Sequence, residues 1–122
     1  MSFDPDPAVP GIEQFSGPGY RGCRLSGEID FTSAGAVQSA LLGMILPGGG
    51  AMIVDLSRVT FLDSSGVGVL VQAHRVATER DTRLLLVASE PVRKLLRLTG
   101  LDTVLETYDE RSAAEAALTG FE

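Results

Sequence analysis

A central stretch of the chain combines an apolar run, a polar corner and an amphipathic segment. The run Ala51–Val54 contains no polar residue, which is typical of a strand covered on both faces. The corner Asp63–Gly66 follows, and apolar residues recur with helical spacing from Ser65 onward. We therefore predict a central strand, a loop, and a helix whose first turn displays Ser64 and Ser65. Two hydroxyls at a helix start are either N-caps or a site.

The rest of the chain alternates strand patterns with helix patterns. Two short strand patterns flank the turn signal Gly17–Gly19 and predict an opening hairpin. The predicted strands are Ile12–Ser16, Tyr20–Ser26, Ala51–Val54, Arg83–Ala88 and Thr103–Thr107, and the predicted helices are Thr32–Leu46, one from Ser65, Pro91–Thr99 and one after Asp109. This order predicts an α/β fold with a mixed, mostly parallel sheet of about five strands and about four helices.

The first predicted helix has no charge on its outer face. Its apolar residues Ala34, Val37, Leu41 and Met44 share one face, which we expect to pack on the sheet. The alternative is an exposed apolar patch that supports a weak homodimer.

Composition and charge narrow the class of protein. The net charge of −6 disfavours nucleic acid as the main partner. The single cysteine, Cys23, excludes an intrachain disulfide and fits a reducing cytoplasm, and we expect it to be buried. The N-terminus lacks the pattern of a signal peptide. Pro47 and the glycines after it interrupt the longest uncharged segment, so no membrane span is expected.

The length of 122 residues suits one domain. Residues 1–10 contain three prolines and are predicted to form a flexible N-terminal tail. We assign residues 11–119 to a single domain and residues 120–122 to a C-terminal tail.

Catalytic patterns are absent from the sequence. No GxSxG elbow surrounds Ser64 or Ser65, and no Walker A sequence is present. The only histidine, His74, follows Ser65 by nine residues on the same predicted helix, which places it more than ~10 Å away. There is no metal-binding cluster and no convincing pair of catalytic carboxylates. By elimination we predict a binding module without a catalytic residue or cofactor.

Several stretches, in this order, resemble a STAS domain, and most closely the bacterial anti-sigma factor antagonists. They are Gly27–Asp30, Val54–Ser57, Val59–Gly68, Pro91–Leu96 and Thr99–Leu101. The resemblance covers about residues 11–119 and implies the STAS fold. The corner Asp63–Gly66 with its flanks is its most specific part.

The resemblance implies a phosphorylation switch in bacterial transcription and stress response. Proteins of this family bind a serine-kinase anti-sigma factor in the cytoplasm and so release a sigma factor. The kinase uses ATP to phosphorylate a serine of the corner, which ends the binding, and a phosphatase removes the phosphate. Neither a metal nor a cofactor is implied for the antagonist itself.

Individual residues follow from the same resemblance. The second hydroxyl of the corner, Ser65, is the expected phosphoacceptor, and Ser64 is the second choice. Asp30, Asp63 and Gly66 are expected to support the switch. The expected partner surface comprises Ser64, Val67, Gly68, Val69, Arg93, Lys94 and Arg97.

Two alternatives remain at this stage. Ser64 and Ser65 could serve only as N-caps. STAS domains also occur as subunits or regulators of transporters, for example in lipid transport, and as ligand-sensing modules. The retained serine pair favours the phosphorylation switch.

Overall fold

Strands and helices alternate along the chain after an opening hairpin. The computed structural model describes residues 11–48 and 50–119. The tails predicted at 1–10 and 120–122 lie outside the described residues, as does Gly49. The elements are β1 Gly11–Gly17, β2 Tyr20–Ile29, α1 Ala34–Met44, β3 Ala51–Leu62, α2 Ser64–Glu79, β4 Arg83–Val87, α3 Glu90–Leu98, a 3-10 turn Leu101–Thr103, β5 Glu106–Tyr108 and α4 Arg111–Thr119.

The five described strands form one sheet in the order β1-β2-β3-β4-β5. The hairpin strands β1 and β2 are antiparallel, and all other neighbouring strands are parallel. The described residues therefore confirm the predicted α/β fold, with a mixed sheet and four α-helices. In the same part of the chain, no helix is long and apolar enough to cross a membrane.

The two faces of the sheet carry separate cores. Along β3, Met52 and Val54 point into the larger core, while Ile53 points into the smaller one. Helices α1, α2 and α3 cover the larger core, and α4 covers the smaller one through Ala114. Cys23 is fully buried in the larger core, and burial raises the pKa of its thiol to about 11.

Helix α1 contributes its apolar side chains to the larger core. Val37, Leu41 and Met44 are buried there. None of the large hydrophobic side chains that the described structure exposes belongs to α1. The packed interpretation therefore holds for these side chains, and the weak homodimer stays a prediction.

Strand β3 is much longer than the predicted strand Ala51–Val54. It spans 12 residues, whereas its neighbour β2 spans 10, yet they pair end to end. Two register shifts accommodate the extra residues of β3. Polar residues after Val54 concealed this extension, because bulges break the alternation that normally reveals a strand.

A buried ion pair stands where the first register shift begins. Asp55 is 2% exposed and pairs with Arg24 of β2 at 3.3 Å. Its other carboxylate oxygen accepts hydrogen bonds from Ser57, at 2.9 Å from the backbone nitrogen and 2.6 Å from Oγ. This carboxylate therefore fixes the irregular part of β3 that leads to the polar corner.

Two other boundaries also differ from those predicted. Helix α1 begins at Ala34 rather than Thr32, since Asp30 holds the preceding residues in a hydrogen-bonded turn. The chain after α3 first forms a 3-10 turn, because Gly100 adopts a left-handed conformation with φ of 75°. The last strand is therefore displaced to Glu106–Tyr108.

Replacing Arg24 with Met should test the buried pair. The change leaves the nearly inaccessible Asp55 carboxylate without its charged partner, so we expect the free energy of unfolding to fall by about 1–3 kcal/mol. Arg83→Met is the matched control, because Arg83 and its partner Glu106 have side chains that are 48% and 33% exposed. That loss should stay below about 1 kcal/mol. Denaturant titration measures both values, and equal losses would contradict a special role for Asp55.

Candidate functional site

The polar corner lies where two parallel strands end side by side. Ile29 of β2 pairs with Leu62 of β3, and the next residues are Asp30 and Asp63. The backbone N–H of Asp63 donates to the carbonyl oxygen of Ile29 at 3.3 Å. The structure therefore places the two acidic residues at neighbouring strand ends, the edge at which α/β sheets commonly bind their ligands.

Asp63 is the N-cap of α2. Its backbone is extended, and its Oδ1 atom accepts hydrogen bonds from the backbone nitrogens of Ser65 and Gly66 at 2.9 and 3.2 Å. Its carbonyl oxygen accepts the N–H of Val67 at 3.0 Å, which closes the first helical turn.

Ser64 and Ser65 are therefore the first two residues of α2. Ser64 is exposed and Ser65 is partly buried. Neither hydroxyl forms a hydrogen bond with a described residue, since Asp63 supplies the capping oxygen. The alternative that the serines act as N-caps is wrong, and the described part of the chain leaves both hydroxyls available for other interactions.

Two glycines of the first helical turns have opposite surroundings. A Cβ atom on Gly66 would lie 2.2 Å from Cδ1 of Leu62 and 3.1 Å from Cγ2 of Ile29. A Cβ atom on Gly68 would have no neighbour within 4 Å. Gly66 thus lets the helix start pack against the strand ends, whereas Gly68 leaves an open surface beside the serines.

Alanine at these two positions should have opposite effects on stability. Gly66→Ala forces Leu62 and Ile29 to move, and the expected loss is about 1–3 kcal/mol, partly offset by better helix propensity. Gly68→Ala meets no obstacle and should stabilise by about 0.5–1 kcal/mol. Guanidinium titrations of the two variants measure both changes in the free energy of unfolding. If Gly66→Ala stabilises the protein, Leu62 and Ile29 can move aside without a loss of stability, and the expected packing role of Gly66 is wrong.

The Asp30 carboxylate is held by the turn that precedes α1. Its Oδ1 atom accepts hydrogen bonds from Oγ1 and the backbone nitrogen of Thr32, at 2.6 and 2.9 Å, and from the backbone nitrogen of Ser33 at 3.3 Å. The Thr32 hydroxyl, followed by the Thr32 N–H, lowers the pKa of Asp30 below its ordinary value. Asp30 is therefore a carboxylate at neutral pH.

Substitutions at Asp30 should separate its charge from its role in the turn. Asn keeps an acceptor oxygen for Thr32 and Ser33, so Asp30→Asn should change the melting temperature less than Asp30→Ala does. A depressed carboxyl pKa adds stability above the unfolded-state pKa, and this contribution is lost as the pH falls through the folded-state pKa. The difference between wild type and Asp30→Ala should therefore shrink below about pH 4.

Thermal unfolding followed from pH 7 to pH 3 provides the measurement. A difference that stays constant over that range would contradict a role for the ionised Asp30 in stability.

The residues expected on the partner surface divide into three groups. Ser64 and Gly68 are exposed and Val67 is partly buried at the start of α2. Val69 is only 4% exposed and packs in the larger core, so its side chain is not available to a partner. This correction follows from the helical period, which turns Val69 toward the sheet.

The third group lies on α3, where two of the three predicted cations are paired. Arg93 forms an ion pair with Asp109, and Arg97 forms one with Glu90. The hydrogen bond from Arg97 and its charge lower the pKa of Glu90. Lys94 is exposed and has no ion-pair partner among the described residues.

Sequence analysis missed three exposed apolar side chains near the corner or on α3. Phe31 follows Asp30 and is 79% exposed, Phe61 precedes the corner and is 50% exposed, and Leu98 at the end of α3 is 75% exposed. For Leu98 the sequence does contain a signal, because the helical period places it off the face that Val92 and Leu96 bury.

The sequence pattern of the STAS domain matches residues 17–114, and the chain belongs to the STAS domain family. This confirms the resemblance given by the sequence stretches. The structural comparison agrees: the crystal structure of an anti-sigma factor antagonist from Mycobacterium paratuberculosis superposes with a TM-score of 0.82 and 28% identity. That match covers 93% of this chain and 97% of the other.

Two proteins that are similar to this chain in sequence are also anti-sigma factor antagonists. An anti-sigma-B factor antagonist of Listeria monocytogenes is 34% identical over 83 residues, which are 67% of this chain and 73% of that protein. The anti-sigma-F factor antagonist RsfB of Mycobacterium tuberculosis is 28% identical over 96 residues, covering 79% of this chain and 76% of that protein. The similarity thus extends to members of the family that antagonise anti-sigma factors.

Proposed function

We propose that this protein is an anti-sigma factor antagonist switched by phosphorylation of Ser65. In its unmodified form it binds a serine-kinase anti-sigma factor, which then releases a sigma factor. The observation that supports this most is the pair of uncommitted hydroxyls at the start of α2, left free because Asp63 caps the helix. Relatives of the chain that are named as antagonists support the same assignment.

The fold should tolerate a phosphate at this position. A phosphoserine adds roughly 1.5–2 negative charges. Negative charge at a helix N-terminus is favourable by about 0.3–1 kcal/mol, because the first N–H groups point outward there. Leu62 and Ile29, which pack against Gly66, lie on the strand side of the corner and need not move.

A bound partner should not tolerate the same phosphate. The Asp30 and Asp63 carboxylates already lie at neighbouring strand ends, so the new charge adds to a negative surface. Burying an unpaired dianion in an interface costs several kcal/mol, more than a neutral contact returns. The switch would therefore weaken the complex without unfolding the antagonist.

The proposal assigns the remaining roles to other proteins. The kinase supplies ATP and the catalytic groups, and a phosphatase resets the cycle. The chain is then a protein substrate rather than an enzyme, and it acts in the bacterial cytoplasm, where sigma factors work.

Variants of Ser65 should separate binding from charge. Ser65→Ala removes only a hydroxyl and should bind the purified kinase of the same organism constitutively. Ser65→Glu should bind at least about tenfold more weakly while its circular dichroism stays native. Ser64→Ala is the matched control and should remain phosphorylatable. Calorimetry gives the affinities, and mass spectrometry after incubation with kinase and ATP locates the phosphate.

The outcomes distinguish three cases. Phosphate on Ser64 would move the acceptor by one residue. If neither serine is phosphorylated and Ser65→Glu binds as wild type does, the switch is wrong. Co-purification with a transporter ATPase would then support the alternative of a transporter regulator.

A further inference from the structure

An apolar groove runs between the end of β3 and helix α3. Its volume is about 290 Å³. It is lined by Val59, Thr60, Phe61, Leu62, Pro91, Val92, Lys94, Leu95 and Leu98. Leu62, one of these lining residues, immediately precedes the N-cap Asp63, so the groove ends beside the serine pair.

One wall of the groove is an unpaired strand edge. Strand β4 pairs with β3 only from Ala51 to Asp55. Residues 56–62 of β3 therefore have β2 on one side and no described strand on the other. Backbone groups along such an edge favour an extended peptide, which can lie against the strand as an additional one.

The groove also exposes apolar surface and one cation. Phe61 and Leu98 are 50% and 75% exposed and both line the groove, so they present apolar surface to a molecule bound there. Lys94 borders them, and unlike Arg93 and Arg97 it has no ion-pair partner among the described residues. The groove therefore suits a segment that is mainly apolar and has an acidic residue.

We infer that this groove binds an extended, apolar segment of the kinase, with an Asp or Glu of that segment paired to Lys94. The inference rests on the proposed function and deepens it by giving the kinase a docking surface outside the phosphoacceptor. Because the groove ends next to the corner, a segment held there brings Ser65 toward the kinase active site. Docking should therefore affect both the affinity of the complex and the KM for phosphorylation.

Substitutions in the groove test the inference with the same purified kinase. Phe61→Ser and Leu98→Ser each remove an exposed apolar contact, so both should fold normally and bind roughly tenfold or more weakly. Val104→Ser is the matched control, since Val104 is 54% exposed but does not line the groove, and it should bind as wild type does. Lys94→Glu should weaken binding and reduce its dependence on salt.

A second measurement follows the strand edge directly. Amide hydrogen exchange should slow in residues 56–62 when the kinase is added, and it should not slow around Val104. Native circular dichroism of each variant shows that any loss of affinity comes from lost contacts and not from unfolding.

The controls separate the two hypotheses. If wild type and Ser65→Ala bind the kinase while both groove variants bind equally well, the docking groove is wrong and the proposed function stands. If wild type does not bind the kinase at all, the proposed function is wrong and the groove hypothesis falls with it.

Discussion

The hydrogen bonds from the backbone of α2 to the Asp63 carboxylate organise the end of the sheet at which the serine pair lies. One oxygen of Asp63 satisfies two of the helix's first N–H groups, and the Asp63 N–H is bound to the neighbouring strand at Ile29. A helix start needs such acceptors from some side chain. Because Asp63 supplies these acceptors one position before the serines, the serine side chains are not needed to cap the helix.

This arrangement separates the contacts that stabilise the protein from the residues proposed to regulate it. The packing at the corner depends on Gly66 against Leu62 and Ile29, and on the buried pair that shapes β3 further upstream. The serine hydroxyls contribute to neither. A modification can therefore change the charge of the surface by about two units while the core stays as it was.

Periodicity in the sequence was enough to predict the alternation of elements, the hairpin, and the start of α2. It was not enough to predict the length of β3, since Asp55, Ser57 and Arg58 interrupt the apolar pattern while register shifts keep Leu56 and Val59 in the core. Nor could it show that Asp63, rather than a serine, caps the helix, because aspartate and serine both favour that position. Val69 shows a related difficulty. A family motif identifies a stretch of sequence, and only the helix geometry shows that Val69 within that stretch is buried and not on the surface.

The burial of Cys23 has a practical consequence for studying this protein. It is the only cysteine of the chain, its side chain has no exposed surface, and its raised pKa keeps the thiol protonated at neutral pH. Maleimide dyes react with an accessible thiolate, and Cys23 is neither accessible nor ionised, so the native protein should hardly react with them. A cysteine placed at an exposed position such as Phe31 would therefore accept a single fluorophore without any prior removal of the native one. The folded chain thus provides its own unreactive background for spectroscopic observation of the corner.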